Sequence, residues 1–197
     1  MQTAPVPMMT TEEYLAFEEK ATIRHEFVAG HVFAMSGPSL RHNAISGNLF
    51  TALRASAHGT PCRVFVSGIK VHVARADAYY YPDVIVACEP QDESGHAVAN
   101  PCCLIEVLAP ATRTIDRREK LHAYQSLPSL REYVLVDQDY RSIEVYRRQG
   151  AGWVQQILDE GDVLEFECLS LSLSMHIVYE GVTALPLPAR EDAAAYG

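Results

Sequence analysis

The sequence lacks the features that mark several large functional classes. Its five cysteines, Cys62, Cys88, Cys102, Cys103 and Cys168, form no CxxC pair, so the spacing of a structural zinc site is missing. No uncharged apolar run reaches about 18 residues, and no segment reads as a membrane span. Met1-Gln2-Thr3-Ala4-Pro5 has neither the basic start nor the apolar stretch of a signal peptide. There is no Gly-rich phosphate loop, which speaks against ATP use. Ser36-Gly37 and Ser46-Gly47 do not complete the G-x-S-x-G turn of a serine nucleophile. Basic residues are also scarce, 16 against 25 acidic for a net charge of −9, which excludes a strongly basic protein that wraps phosphates.

What is present suits an ordinary folded domain. In 197 residues, 48% are apolar and 21% charged, enough to build a core. Residues 1–185 read as one soluble domain and 186–197 as a flexible tail after Leu185-Pro186-Leu187-Pro188. The acidity is uneven. Residues 151–197 hold eight acids against Arg190 alone, a net −7, which leaves only −2 on the first 150 residues. All five cysteines lie in apolar runs, where free thiols act as small hydrophobes, so a reduced cytoplasm is expected.

Hydrophobic period supplies the elements. Thr10-x-x-Glu13 is a capping box that opens a helix over roughly 11–20. Arg24–Val28 and His31–Met35, separated by Ala29-Gly30, read as a β-hairpin. Leu40, Ile45, Leu49 and Leu53 recur at near-helical spacing and predict a helix over 40–57. Cys62–Val66, Ile69–Val73, Tyr79–Cys88 and Cys102–Leu108 read as strands, the last two as continuous apolar runs buried on both faces. Glu89–Asn100 reads as a loop. Thr112–Ser126 is helical in pattern and stopped by Pro128. Glu132–Val136, Ile143–Arg147 and Trp153–Leu158 are further strands. The order implies an α/β domain with a mixed central sheet flanked by helices.

Two acids stand inside apolar strand runs. Asp83 follows Tyr81-Pro82 and precedes Val84-Ile85-Val86, and Glu106 lies within Leu104-Ile105-Glu106-Val107-Leu108. A buried carboxylate costs several kcal/mol unless it is partnered, and two on neighbouring strands repel unless a cation lies between them. Oxygen donors of this kind suit Mg²⁺ or Mn²⁺. The plainer alternative is an arginine partner, or a place at the sheet rim. Pro82 at a strand start or bulge would present Asp83 at a kink. Glu26, on an otherwise apolar hairpin strand, is a third candidate. Lys120, four residues after Asp116, is either a fourth or one half of a surface ion pair.

Taken in order, several motifs are similar to those of the Uma-two family of restriction-endonuclease-like proteins, found in cyanobacteria and other bacteria. They are Tyr81-Pro82-Asp83-Val84, Ile105-Glu106-Val107-Leu108-Ala109-Pro110-Ala111-Thr112, Asp116-x-x-Glu119-Lys120-Leu121-x-x-Tyr124 and Glu132-Tyr133-Val134-Leu135-Val136-Asp137. Thr11-Glu12-Glu13-Tyr14-Leu15, Arg24-His25-Glu26-Phe27-Val28-x-Gly30 and Arg41-His42-Asn43 extend the resemblance to roughly residues 9–180. It implies a PD-(D/E)xK nuclease core, with Asp83 and Glu106 as ligands of Mg²⁺ or Mn²⁺ and Glu26 as the acid of the early element. The pattern's lysine should follow Glu106 at position 108, which is Leu108 here. Related families move it to the next helix, which points to Lys120, with Lys70 as competitor.

The expected activity is therefore metal-dependent cleavage of phosphodiester bonds in nucleic acid, with DNA the expected substrate. The lysine would orient water or stabilise developing charge. Arg113, Arg117 and Arg118 are candidate phosphate contacts, unless they form an ordinary solvated helix face. Rival readings are a nucleic-acid-binding protein that keeps the fold without turnover, and a hydrolase of a small phosphorylated metabolite. A homodimer is expected because cutting both strands needs two sites; Tyr133, Tyr146 and Trp153 either form its interface or fill a core.

Overall fold

The computed structural model describes residues 8–91 and 95–182, so the tail 186–197 lies outside the described residues. In chain order the elements are α1 (Thr11–Glu18), β1 (His25–Val28), β2 (His31–Ala34), α2 (Leu40–Ser56), β3 (Arg63–Val66), β4 (Lys70–Val73), β5 (Ala78–Tyr80), β6 (Val84–Ala87), β7 (Ala97–Val98) and β8 (Cys103–Leu108). There follow α3 (Arg113–Ile115), a π-helical turn (Asp116–Lys120), α4 (Leu121–Gln125), β9 (Glu132–Asp137), β10 (Ile143–Gln149), β11 (Gly152–Leu158), β12 (Val163–Phe166), β13 (Leu171–Ser174) and α5 (Met175–Val178).

A six-stranded sheet, ordered β11-β10-β9-β8-β6-β3, forms the centre. It is antiparallel except for β8 and β9, which run parallel and are joined by the helical segment 113–125. Every residue of β6, β8 and β9 is buried, as continuous apolar runs require of strands covered on both faces. One face packs against Ile45, Leu49 and Leu53 of α2. The other meets Tyr124 of α4 and a second sheet, ordered β2-β1-β5-β4-β7. Helices α1 and α2 both start on local capping rules. Thr10 and Glu13 cap α1 reciprocally, and the Ser39 hydroxyl accepts the His42 N–H at the start of α2.

The expected single strand Tyr79–Cys88 is two. β5 belongs to the smaller sheet and β6 to the larger, with Tyr81-Pro82-Asp83 as the crossing. Proline has no N–H to give a ladder and holds its φ, so the chain leaves one sheet there and enters the other. The loop Glu89–Asn100 carries the short β7, parallel to β4. The structure adds a β12–β13 hairpin and α5 beyond the expected strands.

Cys62 and Cys88 form a disulfide, so the expectation that all five cysteines are free thiols does not hold. They lie one step beyond the Arg63↔Ala87 pair of β3 and β6, which brings the two side chains together across the strands. Tyr133 is also reassigned. It is fully buried, with Tyr124 at 5.1 Å and Tyr146 at 6.3 Å between ring centroids, and so fills the core rather than an interface. Among the described residues no helix is long and apolar enough to cross a membrane.

Glu132 ties the last hairpin to the sheet. It is fully buried at the start of β9 and accepts the backbone N–H of Glu167 at 3.1 Å and of Cys168 at 3.4 Å. Glu132→Ala should cost about 3–5 kcal/mol, since Arg147 loses a counter-charge and two backbone N–H groups lose their acceptor. A urea-unfolding midpoint unchanged in that variant would refute the role.

Candidate active site

The break after β5 delivers Asp83 to the end of the large sheet. Val84 of β6 pairs with Ile105 of β8, so one further step of that register sets Asp83 opposite Glu106. The Val107 N–H donates to Asp83 Oδ2 at 2.7 Å, binding the side chain to the neighbouring strand. His42 Nε2 lies 3.2 Å from the same oxygen.

Lys120 is not a surface residue. Its side chain is 5% exposed, and Nζ lies 2.8 Å from Glu26 Oε1, 3.1 Å from Glu106 Oε1 and 3.2 Å from Asp116 Oδ1. Asp116, its i,i+4 neighbour, is buried with it. Tyr124 donates to Glu106 Oε1 at 3.1 Å, so Lys120 and Tyr124, four residues apart, bond the same acid oxygen. The widened π turn that carries Asp116 and Lys120 leaves backbone groups without their α-helical partners, and the Tyr133 hydroxyl donates to the Asp116 carbonyl at 3.1 Å. Glu26 enters from β1 and also accepts the Tyr81 N–H at 3.3 Å. Three separate elements therefore converge on one ammonium.

The electrostatics follow from that crowding. Burial pushes the Glu106 carboxyl up; the Lys120 ammonium opposes this, while Asp116, Asp83 and Glu26 add to it, leaving it well above the usual carboxylate range. Asp116 is likewise raised by burial, against the pull of Lys120. Burial would lower Lys120, but Glu106, Glu26 and Asp116 outweigh it and hold the ammonium well above its ordinary value. Four carboxyls thus share one lysine and one histidine. Among the described residues no three His, Cys, Asp or Glu side chains converge as a ready-made metal cluster; the ammonium stands among the acids instead. The donor set nonetheless fits a divalent cation. Its donors are mainly carboxylate oxygens, their charge exceeds that of Lys120, and both hydrogen bonds to Glu106 fall on Oε1.

A family model described as "Putative restriction endonuclease" matches residues 11–177. The chain belongs to the Uma2 family. Two relatives from Synechocystis sp., the uncharacterized proteins slr1290 and sll1609, are 34% and 33% identical, cover 91% and 87% of this chain, and are themselves covered over 96% and 99% of their length. A crystal structure of a putative nuclease belonging to DUF820 from Anabaena variabilis shares the fold, with a TM-score of 0.72, 20% identity and coverage of 87% of this chain and 97% of that one. A restriction-endonuclease-like α/β fold is therefore shown.

Within this Uma2 chain the three arginines separate. Arg113 pairs with Asp137 and Asp139, both at 3.2 Å, and Arg117 with Glu144 at 2.6 Å, while Arg118 is exposed. Lys70 lies over the Tyr81 ring, 5.6 Å from its centroid, and is not among the ion-pair partners of Glu26, Glu106 or Asp116. Sequence reasoning missed His42, Asp116 as a buried partner, Tyr124 and the buried Gln138. His42, Asp116 and Tyr124 all stand in motifs that carry the resemblance, but nothing local says which strand end or acid each of them faces.

Proposed function

We propose that this chain is an endonuclease, dependent on Mg²⁺ or Mn²⁺, that hydrolyses phosphodiester bonds in DNA. The observation that carries the reading is the pair Asp83–Glu106 at a sheet end, with Lys120 buried against Glu106. Asp83 and Glu106 would hold the cation, which when bound supplies an activated water and neutralises phosphate charge. In the free protein Lys120 Nζ donates to Glu106 Oε1 at 3.1 Å and is ion-paired with Glu26 and Asp116. Lys120 would offer an N–H donor to the developing negative charge of the phosphate. Glu26 and Asp116 hold the ammonium protonated and in place. Arg118 is exposed and is the arginine best placed to meet a neighbouring phosphate; Arg113 and Arg117 must first exchange their carboxylates for phosphate.

Incubation of supercoiled plasmid with the protein should give nicked and linear DNA with Mg²⁺ or Mn²⁺ and none with chelator. DNA binding without cleavage under both metals would instead indicate a protein that keeps the fold but not the turnover. Hydrolysis of a small phosphodiester that short DNA does not inhibit would indicate a metabolite hydrolase.

A two-fold dimer belongs to the same proposal, because a duplex presents two strands. Support comes from the edge strand β11, where Val154 and Ile157 are 46% and 60% exposed and a second copy's strand would extend the sheet. Light scattering should return twice the 21.8 kDa chain mass; a monomer at high micromolar concentration would exclude the dimer.

A further inference from the structure

His42 reaches the site from the side opposite Lys120. The apolar stripe of α2 packs on the sheet face away from Tyr124, and the first turn of the helix overhangs the end of the sheet. Its position is built rather than incidental. The His42 N–H donates to Ser39 Oγ at 3.1 Å, the Ser39 hydroxyl donates to Gln138 Oε1, and Gln138 Nε2 donates to the Leu108 carbonyl at 3.0 Å. Gln138 is buried, so this chain of bonds fixes the start of α2 to β8 two residues beyond Glu106. The imidazole is largely covered and places Nε2 at 3.2 Å from Asp83 Oδ2.

An imidazole there has two uses. As a donor it would only orient Asp83, a task the Val107 N–H already performs on the same oxygen at 2.7 Å. As a lone-pair donor it would add a ligand. Adjacent ligands of an octahedral ion, at bonds of about 2.1 Å, stand roughly 3.0 Å apart, which the observed separation matches. We propose that His42 Nε2 is a ligand of the cation held by Asp83 and Glu106, making a mixed nitrogen–oxygen site that selects Mn²⁺ over Mg²⁺. The proposal rests on the metal-dependent reading above. Mg²⁺ prefers oxygen donors and gives up water reluctantly, whereas a nitrogen donor favours first-row transition ions.

The test is Mn²⁺ binding to the full chain, followed by EPR of the free ion and electron spin-echo modulation of the bound one. The expected spectrum shows ¹⁴N modulation from an imidazole, which becomes the ¹⁵N pattern in wild-type protein grown with ¹⁵N-histidine. In His42→Ala or His42→Asn the nitrogen signal should vanish and Mn²⁺ affinity fall about tenfold or more, with Mg²⁺ affinity changing less. Bound Mn²⁺ without nitrogen coupling, or coupling that survives in the variants, overturns the histidine ligand while leaving the metal-dependent reading intact. Failure of the wild-type chain to bind Mn²⁺ at millimolar concentration overturns both. The isotope label acts in wild-type protein, so a variant that fails to fold does not blunt the test.

Discussion

Replacing Glu106 with glutamine is expected to lower metal-dependent cleavage by about a thousandfold or more while raising the melting temperature of the metal-free protein. The first effect follows from loss of an anionic ligand at the reacting centre. The second follows from charge crowding. Glutamine keeps an oxygen for the hydrogen bonds from Lys120 and Tyr124 but removes one of three carboxyls packed around a single ammonium. A gain of about 1 kcal/mol would raise the transition by roughly 2–4 °C in a domain of this size. The pH dependence has a definite sign. Glu106 and Asp116 titrate above the ordinary carboxylate range when folded, so the folded state binds protons more readily than the unfolded chain. Their stabilising contribution is complete below the unfolded value, about 4.3 for glutamate, and is lost as pH rises through the raised folded values. The metal-free wild type should therefore melt at progressively lower temperature from mildly acidic to neutral pH, and Glu106→Gln should flatten that slope. Retention of cleavage in the glutamine variant would remove Glu106 from the site.

Lys120→Met is expected to have two large consequences. Turnover should fall about a hundredfold or more if the ammonium stabilises the transition state, comparable to loss of one oxyanion donor. Stability should fall as well, by about 3–5 kcal/mol, because Glu26, Glu106 and Asp116 would be left buried without their shared counter-charge. The two effects separate by adding divalent metal, which should restore part of the stability without restoring turnover. Lys70→Met, whose ammonium lies over the Tyr81 ring, should leave turnover nearly unchanged. A folded Lys120→Met protein with wild-type turnover would transfer the lysine's role, and Lys70 would be the next residue to test.

Several features of the fold are legible in the order of the residues. The capping box at Thr10 and Glu13, the α2 stripe and the strand runs of β6, β8 and β9 depend on neighbours a few residues away, so period and propensity suffice to find them. Asp83 and Glu106 stand out for a similar reason, since a carboxylate in or next to an apolar strand run is anomalous from its neighbours alone. Other features depend on which surfaces meet. An i,i+4 acid–lysine pair looks the same on a wet helix face and in a core, and only packing against Glu26 and Glu106 makes Lys120 a buried ammonium. Pro82 signals a kink, but the passage of the chain from one sheet to the other there depends on the partners of β5 and β6. The Cys62–Cys88 bond depends on the β3–β6 register, and the approach of His42 to Asp83 depends on the Ser39–Gln138–Leu108 chain of hydrogen bonds. The sequence by itself determined the α/β class, the two acids set in or beside apolar strands and the helix stripes, because those arise within one turn or one strand. The tertiary structure decided the charge environment of Lys120, the place of His42 and the disulfide, because each is a contact between segments far apart in the chain, whose pairing no local pattern encodes.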